Sequence, residues 1–336
     1  MDMHKLAMAL AGLAALASAP ASADDSSAAL GAGGVVLTQS ADIRMAAEDL
    51  YVSPKAVRIR FEFVNDGAKD IDTIVAFPLP DIDTYKFWGS PLGTTTADPL
   101  NFVGFEVVAD GKRVPVTVEQ RAIFAGRDVT GIVRAAGAPV NSVTGDGPKR
   151  VAALSNSGLK LLQRAGLVER DGSDTITKWV ARTKIYWHQH FPAGRAVVLA
   201  QRYEPVTGQS FFSESELKAK DDEDARYWQQ NFCLDGPTRS AIATKLAESR
   251  KADRINGGLL NAFTTDYILV TGNNWKGPIG RFHLTLDKLA ADNIISMCWD
   301  GTLTKTGPET FEAVRKDFAP AGDIKLLVLT ASPPHG

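Results

Sequence analysis

The fold is decided first by residues 57–63, Val-Arg-Ile-Arg-Phe-Glu-Phe, in which apolar and charged side chains alternate strictly. Because successive side chains of a β-strand point to opposite faces, this period of two predicts a strand with one buried face. Turn residues follow at 65–67, and a second apolar run, residues 73–77, stops at Pro78. Proline has no amide hydrogen to donate to a central strand, so the second strand should end there.

Working outward, residues 103–118 give the clearest hairpin signal of the chain. Apolar residues alternate up to Asp110-Gly111 and alternate again after it. The Asp-Gly pair accepts the positive φ angles that a tight hairpin turn requires. Strand patterns return at 183–187 and 196–203, which predicts that an antiparallel sandwich closes near residue 208.

Helical patterns interrupt the strands in two places. Residues 150–165 carry apolar side chains at 151, 154, 159, 161 and 162 without strict alternation, and the stretch ends at Gly166. This predicts a helix with glycine as its C-terminal cap, inside an insertion at about 126–174. Residues 213–231 and 237–250 predict a second helical stretch, since serine and glutamate begin the first and Pro237 begins the second.

Four more strands are predicted after residue 257 and would form a small antiparallel sheet: 267–271, 281–286, 294–299 and 324–329. The fold class is therefore mainly β with helical insertions, an N-terminal antiparallel β-sandwich and a smaller C-terminal antiparallel β domain joined by a helical connector. The expected divisions are a signal peptide at 1–23, the sandwich domain at 24–208, the connector at 209–256 and the C-terminal domain at 257–336.

The first residues predict export. Lys5 precedes the apolar run 6–19, and Ala21-Ser22-Ala23 offers the small residues that a signal peptidase accepts. We therefore expect cleavage near Ala23 and a periplasmic location; an uncleaved N-terminal anchor is the alternative. After this segment no apolar window is long enough to predict a transmembrane helix.

Composition excludes some partners. The chain of 336 residues has 37 Lys and Arg against 39 Asp and Glu, for a net charge of −2. Nucleic-acid-binding proteins normally carry a strong basic excess, so no nucleic-acid partner is expected. A length above roughly 300 residues also favours two domains over one.

The two cysteines, Cys233 and Cys298, predict one disulfide, because an even pair in an oxidising compartment is most simply bonded. Two buried free thiols are the alternative. A catalytic thiol is disfavoured, since neither cysteine has a histidine close in sequence.

A metal site has only weak candidates. His188 and His190 stand two residues apart at a predicted strand end and would face the same side. No third ligand stands at a characteristic spacing, so a histidine-rich strand edge is favoured. No sequence pattern indicates a cofactor, a nucleophile elbow or another catalytic motif, which favours a non-enzymatic protein.

The candidate binding loop is residues 271–279, Thr-Gly-Asn-Asn-Trp-Lys-Gly-Pro-Ile, with Asn273, Asn274, Trp275 and Lys276 as the candidate contacts. An aromatic presented on a rigid loop is a common way to engage sugars or proteins. The alternative is a Trp275 ring folded back to cap the sheet.

A set of motifs resembles an uncharacterised family of exported proteobacterial proteins, catalogued as a domain of unknown function. The resemblance covers nearly the whole chain after the signal and rests on Asp24-Asp25-Ser26, Phe77-Pro78-Leu79-Pro80, Phe191-Pro192-Ala193 with Tyr203 and Pro205, and residues 271–279. It implies a Gram-negative periplasmic location and no mechanism. Residues 57–119 also resemble the vault-type β-sandwich of inter-alpha-trypsin-inhibitor-like proteins, which implies a structural or adhesive module.

Two functions follow as hypotheses. The first is a periplasmic, non-enzymatic protein that binds either another envelope component, such as an envelope protein, or a small ligand. The second is a hydrolase of envelope polymers that uses carboxylates brought together only by the fold.

Overall fold

A computed structural model describes residues 26–31, 34–89, 92, 96, 98–218, 223–252 and 257–331. The predicted signal peptide at 1–23 lies outside the described residues.

Strands dominate the described residues, and the α-helices lie in two regions, 130–164 and 214–252. In chain order the strands are β1 Ser26–Gly31, β2 Gly34–Thr38, β3 Ile43–Val52, β4 Val57–Asn65, β5 Ile71–Pro78, β6 Ile82–Asp83, β7 Glu106–Ala109, β8 Lys112–Val114, β9 Thr117–Phe124, β10 Arg127–Asp128, β11 Val168–Asp171, β12 Asp174–Thr177, β13 Val180–Phe191, β14 Ala196–Tyr203, β15 Gly208–Phe212, β16 Leu260–Tyr267, β17 Ile279–Asp287, β18 Ile294–Ser296, β19 Thr304–Lys305, β20 Thr310–Phe318 and β21 Ile324–Ala331. The helices are α1 Thr130–Ala135, α2 Gly147–Ala152, α3 Asn156–Arg164, α4 Glu214–Lys218, α5 Glu223–Phe232 and α6 Gly236–Ala252, with a 3-10 turn at Val270–Asn274.

Three sheets and one separate hairpin contain these strands. The first sheet has the order β10-β9-β13-β5-β1-β2, with β6 beside β13. The second has the order β19-β20-β17-β3-β4-β14-β7-β8, and the third is β15-β16-β21-β18. Strands β11 and β12 pair only with each other in the described part of the chain. The protein is therefore mainly β with helical insertions and several antiparallel sheets, and this part of the predicted fold class is confirmed.

The alternation in β4 places its apolar residues in the core between the two large sheets. Phe61 and Phe63 are fully buried, whereas Arg58 and Arg60 are exposed. Aromatic rings join the sheets, with Phe63 of β4 lying 5.8 Å from Phe191 of β13, centroid to centroid. Burial of each such ring stabilises the fold by roughly 1.5–3 kcal/mol.

Asn65 links the two sheets at the end of β4. Its side-chain Nδ2 donates to the carbonyl oxygens of Phe191 (2.9 Å) and Lys69 (2.8 Å), and its Oδ1 accepts from the amide of Gly67 (2.9 Å). The turn predicted at 65–67 therefore has a fully buried hydrogen-bonded residue at its base.

The predicted Asp110-Gly111 hairpin is confirmed, but its second strand is shorter than the alternation suggests. Ala109 pairs with Lys112, and both turn residues have positive φ, 45° and 80°. The strand ends at Val114 because Pro115 cannot donate to a ladder, and the chain then enters the first sheet as β9. The alternating residues on the two sides of Pro115 thus lie in different sheets.

The single helix predicted at 150–165 is wrong in detail, since the chain forms α2 and α3 there. The break comes at Ser155, whose side chain accepts from the amide of Gly158 and so caps a new helix. In the second helical stretch the two predicted helices are three, α4, α5 and α6.

The four C-terminal strands do not form one sheet, which corrects the prediction. The third sheet contains β16, β18 and β21, but β17 pairs in parallel with β3 of the second sheet, for example Leu284 with Leu50. The strand predicted at 267–271 is also wrong, because the strand is β16 and residues 270–274 form the 3-10 turn. The division into separate domains stays a prediction, although the C-terminal region contributes strands to the sheet of the N-terminal region.

The disulfide between Cys233 and Cys298 is confirmed, with a Cα–Cα distance of 5.0 Å. It lies just after α5 and β18, beside a second apolar cluster in which the helices cover the third sheet. This cluster includes Trp228, Phe232 and Ile242 of the helices and Leu327 and Leu329 of β21.

Candidate ligand-binding site

The 271–279 loop holds its aromatic side chain inside the protein. The Trp275 side chain is 3 % exposed, and its ring centroid lies 4.5 Å from Phe63 and 6.1 Å from Phe191. Of the two placements that the sequence left open, the structure has the ring packed against the sandwich core. Trp275 therefore offers no aromatic surface to a partner.

The other candidate residues of this loop fasten it to neighbouring segments. Asn273 Nδ2 donates to the carbonyl oxygen of Pro320 (2.8 Å), and the Asn274 carbonyl accepts from the amide of Ser40 (2.8 Å). Lys276 forms an exposed ion pair with Asp66 (3.2 Å). Asn273 and Lys276 are exposed, and binding at this loop stays a prediction.

The two histidines lie at an exposed edge of β13. His190 Nδ1 is 2.8 Å from an Asp72 oxygen, and its Nε2 is 3.6 Å from Asp70. His188 is exposed opposite Ile74 in the ladder. Within the described ranges no three His, Cys, Asp or Glu residues gather closely enough to hold a metal ion.

A trough of about 510 Å³ lies on the outer face of the second sheet. It crosses five adjacent strands, β17, β3, β4, β14 and β7. Their outward side chains and the adjoining backbone line it: Asp49, Leu50, Tyr51, Arg58, Ile59, Arg60, Glu106, Val108, Ala200, Gln201, Arg202, His283 and Thr285. This volume falls within the range of roughly 300–1,000 Å³ that is usual for small-molecule sites.

The trough exists because small side chains stand between large ones. Ala200 of β14 is paired in the ladder with Arg60 of β4 on one side and Val108 of β7 on the other. An alanine between longer side chains leaves a depression with an apolar floor. The long aliphatic stems of the arginines add apolar surface to its walls.

The ionic groups on one side of the trough neutralise each other. Glu106 accepts hydrogen bonds from Arg202 (2.6 Å) and Arg113 (2.6 Å). The hydrogen bond from Arg202 is the main reason that the pKa of the Glu106 carboxyl is lowered.

Arg58 is different, because its guanidinium stacks on an aromatic ring. Its carbon Cζ lies 4.0 Å from the centroid of Tyr51, and among the described residues no ion pair involves Arg58. Within the described ranges, the one ion pair of Arg60 is with Asp49, at 3.9 Å. Stacking holds a guanidinium in place while its N–H groups stay available for an anion.

Tyr51 and His283 are fixed by hydrogen bonds at the other side of the trough. The Tyr51 hydroxyl donates to Asp287 (2.6 Å), and burial, reinforced by that carboxylate, raises the pKa of Tyr51. His283 lies between Asp49 (3.4 Å) and Glu312 (3.2 Å). The hydrogen bond to Asp287 therefore anchors the Tyr51 ring on which Arg58 stacks.

A second, narrower crevice of about 80 Å³ brings two carboxylates near apolar side chains. Asp81 and Asp266 line it together with Phe87, Phe102 and Tyr203. Asp81 forms an ion pair with Arg182 (2.9 Å). Desolvation by its surroundings raises the pKa of the Asp266 carboxyl, although the residue reaches the surface.

Sequence reasoning missed the trough for a geometric reason. The alternation of residues 57–63 did predict that Arg58 and Arg60 point away from the core. The trough also needs β3, β7, β14 and β17, which no local pattern places beside β4. The parallel pairing of β3 with β17 has no sequence signal of its own.

The described part of the chain contains no helix with the length and apolar character of a membrane span. Fold and trough define a β protein of three sheets and a separate hairpin, with additional helices and an arginine-lined trough on the outer face of the second sheet. The chain belongs to the family described as Domain of unknown function (DUF4424), whose family model matches residues 23–327. The predicted family resemblance is thereby confirmed, while the resemblance to the vault-type sandwich stays a prediction.

No curated protein matches the chain. Among solved structures, it is similar to a crystal structure from Legionella pneumophila subsp. pneumophila that is named a "putative nutrient binding protein". The identity is 13 %, the alignment covers 87 % of this chain and 68 % of the other, and the TM-score is 0.43.

Proposed function

We propose that this protein is an exported, periplasmic binding protein that takes an organic anion with an apolar part in the trough of the second sheet. The observation that carries the proposal is the position of Arg58. Its guanidinium stacks on Tyr51, has no carboxylate partner among the described residues, and lines a trough with an apolar floor and the volume of a small-molecule site. Export rests on the sequence pattern of residues 1–23. A small ligand is favoured over an envelope protein because the trough volume of about 510 Å³ is in the usual range of small-molecule sites.

The chemistry of the trough selects the ligand class. Arg58 and Arg60 donate N–H groups that suit a carboxylate, phosphate or sulfonate. The surface around Ala200 and Val108 suits a hydrocarbon or aromatic portion. Glu106, neutralised by two arginines, adds little repulsion toward an anion.

The proposal is tested by incubating the protein with envelope extracts and identifying retained small molecules by mass spectrometry. Wild type should retain anionic amphiphiles, and Arg58→Gln should lose them. Arg164→Gln is the matched control, since Arg164 is exposed in α3 and does not line the trough. Equal retention by wild type and Arg58→Gln would refute the proposed site.

The hydrolase remains a second candidate because of Asp266. Asp266, whose carboxyl has a raised pKa, and Asp81, which is ion-paired with Arg182, line the same crevice. Acid catalysis by two carboxylates uses two such groups in different environments. If the crevice is catalytic, wild type should release soluble fragments from purified envelope polysaccharide or peptidoglycan, and Asp266→Asn should not. Absence of any release by wild type would eliminate this candidate.

A further inference from the structure

The crevice lined by Asp81 and Asp266 has mostly apolar walls. Its volume is about 80 Å³, and the residues that line it are all different from those that line the trough of the second sheet. Its apolar and aromatic side chains include Leu79, Ile82, Phe87, Phe102, Val103 and Tyr203. Strand β16 contributes two polar side chains to this apolar setting, Thr264 and Asp266.

Thr264 and Asp266 share one face of β16. They lie two residues apart, so their side chains point to the same side of the strand, whereas Thr265 is fully buried on the other side. Gly208 of β15 is the ladder partner of Thr264, and a Cβ added to this glycine would lie 2.5 Å from Thr264 Oγ1. Glycine at position 208 therefore leaves the space that the threonine hydroxyl occupies.

The Asp266 carboxylate makes no hydrogen bond or ion pair with the described residues. Two nearby lysines are held by other groups. Lys325 Nζ donates to Asn231 Oδ1 (2.6 Å), and Lys86 Nζ lies 5.4 Å from the centroid of the Tyr227 ring. Within the described ranges the Thr264 hydroxyl also makes no hydrogen bond. Two polar groups on one strand face are thus available to a ligand.

The Asp266 side chain combines access with desolvation. The residue is exposed, so a ligand in the crevice can reach its carboxylate. The surrounding groups nevertheless remove part of its hydration, which raises its pKa. A desolvated carboxylate in a cleft is a typical feature of a functional site.

We propose that this crevice binds a primary amine with a short apolar chain. The N–H groups of a primary ammonium can donate to both the Asp266 carboxylate and the Thr264 hydroxyl. The apolar walls suit the carbon chain, and aromatic rings attract cations. Since a cavity of about 150 Å³ holds benzene, about 80 Å³ encloses roughly three non-hydrogen atoms, and a longer chain would extend out of the crevice.

Other ligand classes and other carboxylates fit less well. A quaternary ammonium has no N–H group to donate, and Asp266 would repel an anion. Asp81 is already paired with Arg182 (2.9 Å), so Asp266 is the carboxylate available to the amine. Amine binding needs the ionised form of Asp266 and does not depend on the anion site of the trough, whereas acid catalysis by Asp266 would need the protonated form.

Calorimetric titration of the folded full chain with three compounds tests the proposal. n-Butylamine has the charge and the N–H donors, 1-butanol has a hydroxyl without the charge, and n-butyltrimethylammonium has the charge without a donor. n-Butylamine should bind at least about 10-fold more tightly than either analogue, as expected for charge-assisted hydrogen bonds. No binding of n-butylamine up to about 10 mM, or equal affinity for all three compounds, would overturn the proposal.

Variants then assign the binding to the crevice. Asp266→Asn keeps the size of the side chain and removes its charge, so the affinity for n-butylamine should fall about 10-fold or more. Thr264→Val removes one hydrogen-bond acceptor and should lower the affinity about 3-fold or more. Unchanged amine binding in Asp266→Asn would contradict the assignment, and unchanged binding in Thr264→Val would do so if Asp266→Asn does not fold.

Two control variants should bind n-butylamine like wild type. Asp171→Asn is the matched control, because Asp171 is an exposed carboxylate of β11 that does not line the crevice. Arg58→Gln alters the trough alone, so failure of the amine site is distinguishable from failure of the anion site. Loss of amine binding in Asp171→Asn equal to that in Asp266→Asn would contradict the assignment.

Discussion

Replacement of Trp275 by alanine should destabilise the fold strongly, because the ring is part of the sandwich core. Large-to-small changes of buried tryptophan cost about 3–5 kcal/mol. The rings of Phe63 and Phe191 lie beside it at 4.5 and 6.1 Å, which favours the upper half of that range.

Trp88 supplies a matched control. Its side chain is 40 % exposed, against 3 % for Trp275. A tryptophan side chain buries up to about 250 Å², so this difference corresponds to about 90 Å² and, at about 25 cal/mol per Å², to about 2 kcal/mol. Trp88→Ala should therefore cost at least about 2 kcal/mol less than Trp275→Ala.

Urea unfolding followed by circular dichroism measures both variants without relying on tryptophan emission. A cost for Trp275→Ala no greater than that for Trp88→Ala would refute the burial of this ring, and would return the 271–279 loop to consideration as an exposed recognition surface. A large cost with unchanged ligand retention would assign the loop to the fold alone.

Three further predictions concern stability. Replacing both Cys233 and Cys298 by serine should lower the free energy of unfolding by about 4 kcal/mol, because the disulfide closes a loop with a separation of 65 residues in the unfolded chain. Urea unfolding of oxidised wild type and of the double variant measures this difference, and equal unfolding midpoints would contradict it. Asn65→Ala should cost about 2–3 kcal/mol because it removes three hydrogen bonds and leaves the buried carbonyl of Phe191 without that partner. Asn273→Ala, with one hydrogen bond and an exposed side chain, should cost under about 1 kcal/mol, and similar costs for the two variants would be the contrary result. The hydrogen bond from Arg202 lowers the folded-state pKa of Glu106 below 4.5, so the stabilisation from this ion pair is present above that pH and is lost as pH falls through the lowered pKa. Glu106→Gln should therefore be less stable than wild type by about 0.2–1 kcal/mol at neutral pH. Thermal melts should show this difference in stability disappearing in acid, and a difference that does not change with pH would be the opposite outcome.

The sequence predicted what depends on local pattern. The alternation of residues 57–63 gave the strand and its buried face, Asp110-Gly111 gave the hairpin, and the cysteine pair gave the disulfide. The strand and the hairpin depend on patterns of a few neighbouring residues, and the disulfide follows because the chain has only two cysteines.

What the sequence did not predict depends on pairing between distant segments. The ladder between β3 and β17 joins residues more than 200 positions apart, and nothing in either strand specifies its neighbour. The trough could not be predicted for the same reason, because its walls come from five strands whose order in the sheet is not specified by local sequence.

The most direct test of the trough is a fluorescence titration with 8-anilinonaphthalene-1-sulfonate, an anion with an apolar ring system, alongside its uncharged analogue N-phenyl-1-naphthylamine. We predict saturable binding of the sulfonate to wild type and to Arg164→Gln. In Arg58→Gln its affinity should fall about 10-fold or more, as expected for loss of a charge-assisted hydrogen bond, while the affinity for the uncharged analogue should stay unchanged. Equal affinity of wild type and Arg58→Gln for the sulfonate would contradict the assignment of the trough as an anion-binding site.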